Sequence, residues 1–439
     1  MIPLPTRRWL FVGALLGLLW PVAALTDRGV PALLFLDGLW ILLWVVDWWL
    51  APQAGAIDVE RDVPAGFSVG RALPIRTRWT STHPRATRVR VREQLPAPLA
   101  SGPAAERVLR FGARGKVAEV VEVLPRHRGR GTGGRIWLRA EGPWGLAQVG
   151  SQIDRPFTAT VFPDLTEAAL SALPTRRSRR RDAGLRNVRR LGEGRVFETL
   201  REWVPGDDTR SIDWKATARR GKVMARQYED ERRQQVLIMI DAGRMLTAEV
   251  DGRARLESVI DAALQLAYSA SEHDDDVGLL VFADTVQYFL APRRGRRALK
   301  SIVEALAVVE GRLVEPDYPA AFAFLAAHNR KRALMVLFTD IIDRTASDAL
   351  LAQVGTLRPR HLPVAVTLRD PALERVAIAH AGTAADAFER AAAEELLTAR
   401  AEALAGMRAR GVLVVDVPPV QAARAVVEQY ELLKRRGLL

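Results

Sequence analysis

The amino-acid sequence predicts an α/β protein: an N-terminal two-helix transmembrane hairpin, a β-sandwich-like middle domain and a C-terminal doubly wound domain. Three observations carry this expectation. Two apolar runs near membrane-spanning length fill residues 1–52. Residues 53–168 alternate short β-type runs with Pro/Gly turns. From residue 235 to 439, continuous apolar strands alternate with amphipathic helices. Residues 169–234 lie between as an Arg-rich linker and a signature segment.

Residues 9–25 are an unbroken apolar run, and residues 31–50 are a second one interrupted by Asp37 and Asp47. A hydrocarbon core about 30 Å thick takes roughly 20 helical residues. The link around Asp27 and Arg28 is long enough only for a tight hairpin. Arg7 and Arg8 precede the first run and Arg61 and Arg71 follow the second, so the positive-inside rule puts both ends in the cytoplasm. Trp40, Trp44 and Trp48 repeat every four residues and share one helix face. Asp37 is expected near the outer interface, hydrated or paired with Arg28. A competing reading of the first run is a cleaved leader ending near Val22-Ala23-Ala24; the second run would still anchor the body inside.

In the middle region the clearest strands are residues 72–79, 87–93, 117–124, 135–140 and 158–162, with residues 129–134 as a flexible hairpin connection. Gly66-Phe67-Ser68-Val69-Gly70 matches the form of a nucleophile elbow but lacks the strand-turn-helix context that places a serine for attack. The 439-residue chain has no cysteine, which excludes disulfides, thiolate metal sites and cysteine nucleophiles. Its net charge of +13 falls entirely outside the first fifty residues, where three arginines balance three aspartates. Residues 176–190, with Arg176 and Arg190 at the ends, hold eight arginines and one acid. They read as a solvated connector, or as a phosphate-binding arm for anionic lipid or nucleic acid. No aromatics interleave for base stacking.

In the C-terminal region strands are expected at residues 236–240, 277–282, 286–290, 334–338, 364–368 and 412–417. Helices are expected at residues 254–270, 297–309, 320–327 and 384–405. Such sheets place their sites beyond the carboxyl ends of the strands. Two strands end in aspartates there, Asp241 and Asp340, with Asp343 close behind. This pattern resembles the von Willebrand factor type A domain, whose metal-ion-dependent adhesion site uses D-x-S-x-S after the first strand and an aspartate after a later one. The resemblance implies a degenerate Mg2+ site on Asp241, Asp340 and Asp343, because Gly243 and Met245 stand where that motif has serines.

The most distinctive stretch runs through Arg201, Glu202, Trp203, Pro205, Gly206, Asp207, Asp208, Arg210, Asp213, Trp214 and Lys215. Pro205-Gly206 favours a turn, after which Asp207 or Asp208 caps a short helix. Acids and bases alternate as an ion-pair network, and Trp203 and Trp214 are expected to pack on the α/β body. This string, together with Pro143-Trp144-Gly145-Leu146 at the end of the β-rich region, resembles the family called domain of unknown function 58 (DUF58). The resemblance implies a non-enzymatic membrane adaptor or scaffold working with a MoxR-type AAA+ ATPase, its signature residues forming an interaction surface. Two rivals are a metal-dependent hydrolase built on Asp207, Asp208 and Asp213, and an anionic-lipid or nucleic-acid binder acting through residues 176–190.

Overall fold

The fold is that of a computed structural model, which describes residues 2–25, 28–53, 55–100, 105–163, 196–204, 209–229, 234–250, 252–340, 350–353 and 360–438. The chain divides into two compact units, residues 1–164 and 165–439.

The first unit opens with a feature the sequence hides. Strand β1 (Ile2–Pro5) pairs antiparallel with the start of a later strand, Leu4 opposite Gln148, before any helix begins. Thr6 then caps helix α1 (Arg7–Ala23) by accepting the Trp9 N–H. Helix α2 (Gly29–Leu50) returns beside it. Trp9 stacks on Trp40 with ring centroids 6.3 Å apart and meets Trp44 at 5.8 Å. Asp37 accepts a hydrogen bond from Trp20 Nε1 at 3.1 Å, which gives the carboxylate a partner other than Arg28. Among the described residues α2 is the one helix long and apolar enough to cross a membrane. Helix α1, at 17 residues, rises about 25 Å and is shorter than that requirement.

The rest of this unit is two facing sheets. Strands β2 (Ile57–Asp62), β4 (Leu73–Ser81) and β7 (Lys116–Val123) form one, in the order β2-β4-β7. The other has the order β1-β9-β8-β5-β6, built from β5 (Thr87–Gln94), β6 (Glu106–Phe111), β8 (Gly129–Glu141) and β9 (Ala147–Phe162). Inward residues alternate with outward ones, so Trp79, Val89, Val91, Ile136 and Leu138 bury together. The two-residue β3 (Phe67–Ser68) pairs with β9, so Ser68 lies in a strand and not in an elbow.

Residues 129–134 correct the sequence expectation. They are no loose connection but the first half of β8, paired with β9 from Gly129–Val161 onwards. The glycines are there for space: a Cβ on Gly133 would sit 2.4 Å from Pro96 N, and one on Gly131 2.7 Å from Pro98 Cδ. The backbone crossing over this strand excludes side chains.

In the second unit, β10 (Val196–Glu202) and β11 (Met224–Glu229) form an antiparallel ribbon with helix α3 (Trp214–Arg220) between them in sequence. The α/β sheet follows. It comprises β12 (Gln235–Asp241), β15 (Asp276–Phe282), β16 (Val286–Arg294), β17 (Leu334–Thr339), β18 (Leu362–Leu368) and β19 (Leu413–Val417). Short α4 (Arg244–Thr247) and the two-residue β13 (Glu249–Val250) and β14 (Arg253–Ala254) fill the first crossover. The strand order is β16-β15-β12-β17-β18-β19, parallel except for β16 at the edge.

Because the inner strands of this sheet are covered on both faces, they are almost wholly apolar. Val236, Ile238 and Ile240 face one side, beneath α5 (Arg255–Glu272), α6 (Gly295–Ala307) and a C-terminal helix. Leu237 and Met239 face the other, where α7 (Tyr318–His328) supplies Phe322 and Leu325. The remaining helices are α8 (Pro371–Ile378), α9 (Ala384–Ala409) and α10 (Ala422–Arg435); α10 buries Val426 and Tyr430 on the first side, and α9 buries Leu404 and Met407 on the second. The strand order reverses between β12 and β17. That is the crevice where doubly wound sheets take ligands.

Candidate functional site

Asp241 ends β12 and Thr339-Asp340 ends β17, its neighbour, so the parallel register brings all three to the switch point. Asp241 is buried. Its Oδ1 accepts the Gly243 N–H at 2.8 Å, and its Oδ2 accepts the hydroxyls of Tyr318 and Thr339, each at 2.8 Å. Burial still pushes this carboxyl above the ordinary carboxylate value, against those three bonds. The Tyr318 hydroxyl is raised as well, first by burial and then by the Asp241 charge.

Asp340 has different company. Its Oδ2 meets the Arg255 guanidinium, and its Oδ1 meets Arg400 Nη1 at 2.7 Å. Arg255 extends on to Asp370 at 2.7 Å, and Arg400 to Asp416 at 2.7 Å. Asp370 also caps α8 through the Ala372 N–H, and Asp416 accepts the Thr367 hydroxyl at 2.9 Å. Two buried guanidiniums therefore tie together three carboxylates from the ends of β17, β18 and β19. Burial lowers Arg255 from its ordinary value, while Asp370 opposes that shift.

The donor set does not suit a divalent cation. A metal bridging Asp241 and Asp340 would lie beside two fixed positive charges that already neutralise Asp340. Position 243, which would have to supply a hydroxyl ligand, has no room for one: a Cβ there would lie 2.9 Å from Asp241 Oδ1 and 3.0 Å from the Val314 carbonyl oxygen. Asp343 lies outside the described residues. Among the described residues no group of three or more histidine, cysteine, aspartate or glutamate side chains is arranged to hold a metal.

Sequence reasoning missed Arg255 and Arg400. The signal was present, since Arg400 falls in phase with the buried stripe Ala393, Ala403, Leu404 and Met407, and Arg255 with Val259 and Ala262. An arginine at an apolar position is a buried charge and needs a partner.

The rim of the strand-end face is polar. Arg244 pairs with Glu315 at 2.7 Å and Arg312 with Asp284 at 2.6 Å, all four side chains about half exposed. The loop carrying Glu315 is laced to the strand end by Arg312 N–H to the Ala242 carbonyl and Arg244 N–H to the Val314 carbonyl. Between these two anchors Leu313 projects, 84% exposed, and Val420 after β19 is 89% exposed.

The signature segment folds as the ribbon and its helix. Asp213 caps α3, its Oδ1 accepting the Lys215 and Ala216 N–H groups at 3.0 Å each. Glu202 pairs with Lys222 at 2.8 Å in the open. Trp214 is 70% exposed, against the expectation that it packs inward, while Trp203 is half-buried and its backbone N–H donates to the Val223 carbonyl. Arg201 lies on β10 and Arg210 in a 3-10 turn. Pro205, Gly206, Asp207, Asp208 and residues 176–190 lie outside the described residues.

In the first unit, Pro143-Trp144-Gly145-Leu146 has a structural task. Asp47, fully buried near the end of α2, accepts the backbone N–H groups of Trp144, Leu146 and Ala147 at 2.7, 2.7 and 2.8 Å. Thr6 donates its hydroxyl to the Gly145 carbonyl at 2.7 Å. Both helices are thereby fastened to one turn.

Residues 199–387 match the family model described as "Protein of unknown function DUF58", which supports that family for this stretch. Uncharacterized proteins Rv1480 of Mycobacterium tuberculosis (strain ATCC 25618 / H37Rv) and Mb1516 of Mycobacterium bovis are each 23% identical over 188 residues, 41% of this chain. The match spans 55% of the length of those relatives. Among solved structures, a PapD-like domain of human CEP192 aligns at 8% identity and TM-score 0.19, covering 26% of this chain and 89% of that one. The CARDB domain of Pyrococcus furiosus PF1109 aligns at 14% identity and TM-score 0.18, covering 25% and 94%.

Proposed function

We propose that this chain is a membrane-anchored, non-enzymatic adaptor whose von Willebrand type A-like domain offers its strand-end face to a MoxR-type AAA+ ATPase. In this reading α1 and α2 form a two-span hairpin with both ends and the folded body in the cytoplasm. The apolar faces of both helices support it, since Phe11, Leu18, Val22, Phe35 and Trp49 are exposed and need a lipid solvent. The observation that carries the adaptor reading is the strand-end face itself. Its carboxylates are neutralised from within by Arg255 and Arg400, while an apolar tip, Leu313, stands between rim ion pairs. An apolar anchor ringed by charged groups is the anatomy of a protein contact.

Partner contact in this reading is direct and is not bridged by a metal. The family resemblance supplies the identity of the partner. The test is co-purification of the full-length chain with the ATPase from membranes, comparing wild type with Leu313→Asp. Asp241 is a poor choice for this purpose, being buried and part of the fold. Loss of a central apolar anchor costs about 2 kcal/mol or more, roughly 30-fold in affinity. Equal recovery with both chains would exclude this face.

A further inference from the structure

The outward side of the sheet β1-β9-β8-β5-β6 carries charges that the sandwich does not use. Val89 and Val91 enter the core, so Arg88, Arg90 and Arg92 point outward. Strand β8 adds Trp137 and Arg139 on the same side. Register sets Arg90 opposite Arg139 and Arg92 opposite Trp137. Like charges directly opposite each other destabilise a sheet unless an anion lies between them. Arg90 reaches Glu141 at 3.2 Å; Glu106 stands opposite Arg92 in register and lines the same groove, but no ion pair within 4 Å ties Arg92 or Arg139 to an acid among the described residues. With Leu4, Trp137 and Gln152 these arginines line an open groove of about 950 Å3.

The position of Leu4 says where the groove lies. It is on β1, three residues before Arg7 opens α1, so at most about 11 Å of chain separates it from the first apolar helix. That distance is close to the Debye length of about 8 Å at physiological salt, within which a leaflet's negative potential acts. We propose that this groove binds the phosphate headgroup of an anionic phospholipid from the leaflet that α1 enters, an inference that rests on the membrane reading above. The guanidinium forks of Arg92 and Arg139 grip the phosphate oxygens. Trp137, 37% exposed, supplies an aromatic of the kind that favours a membrane interface, and Leu4 offers apolar surface to the glycerol end. A single exposed aromatic gives no stacking ladder for nucleic acid.

The test uses the full-length protein in neutral detergent, with native mass spectrometry counting retained dioctanoyl phosphatidylglycerol or dioctanoyl phosphatidylcholine. Wild type should retain the anionic lipid about tenfold or more over the zwitterionic one, and Arg92→Gln/Arg139→Gln should erase that preference. The double lysine variant should keep most of it. Equal retention of the two lipids by wild type overturns the proposal, as does a preference unchanged in the double glutamine variant. Displacement of phosphatidylglycerol by an equal concentration of a single-stranded oligonucleotide would also overturn it, making nucleic acid the occupant. These lipids arrive from solution, so the result reads the groove independently of the spans. The spanning reading fails separately, if a cysteine introduced at position 28 of this cysteine-free chain is not labelled from outside intact cells.

Discussion

At position 243 there is no room for the hydroxyl side chain that a metal site would need there. Building the missing serine, Gly243→Ser, should push against the Val314 carbonyl and Pro316. We expect a loss of about 1–3 kcal/mol in thermal unfolding, with no Mg2+ binding gained in calorimetry. Restored Mg2+ affinity would show that space, and not the arginines, had excluded the ion. Arg400→Leu should cost more, about 3–5 kcal/mol, because it leaves the buried Asp340 and the partly buried Asp416 short of positive charge. Asp241 gives a pH signature. Its native pKa is raised by burial, so its contribution to stability is fully present below the unfolded carboxylate value and is lost as pH rises through the native value. The stability difference between wild type and Asp241→Asn should therefore shift across that window and be flat above it, in denaturant melts taken at a series of pH values. Asp241 and Asp340 were legible from sequence because aspartates closing apolar strands stand out. The pairing of Asp340 with Arg255 and Arg400 was not: each arginine stands out as a charge at a buried helix position, but only the fold shows which acid it meets.

Among the elements, the strands of the α/β sheet match their expected positions within a residue or two, apart from the edge strand β16, which runs four residues past its expected end to Arg294; two-sided burial writes a near-continuous apolar run into the inner ones. Elements set by a single distant contact were not legible. Strand β1 is four residues beside an apolar helix and carries no period of its own. The glycines of β8 look like a linker until the crossing Pro96 and Pro98 are seen. Asp47 reads as a blemish in an apolar run, yet it holds the end of α2 to the turn at residues 143–147. A Cβ on Gly142 would come within 2.4 Å of its carboxylate, so the fit leaves no slack. Asp47→Ala would leave three N–H groups without their acceptor, the buried Ala147 N–H at about 1–3 kcal/mol and the part-buried Trp144 and Leu146 N–H groups at less. The expected result is a lower melting temperature in detergent, with new proteolytic cleavage near residues 142–147. Unchanged melting would mean that α2 is held by other contacts.

For the molecule as a whole, two apolar helices are fastened through Thr6 and Asp47 to one turn of the first unit, and in the second unit Asp340, Asp370 and Asp416 are balanced by Arg255 and Arg400. The strand-end face combines internally paired charges with the exposed Leu313, which is the feature the proposed adaptor role rests on. The hydrolase alternative has lost one of its three acids to helix capping, since Asp213 already accepts two N–H groups of α3. The most direct test is recovery of the MoxR-type ATPase from membranes by the full-length chain, with ATP, with ADP and without nucleotide, for wild type and Leu313→Asp. The account predicts ATPase retained by wild type in at least one nucleotide state and lost with Leu313→Asp. Its absence in every state for wild type would contradict the account.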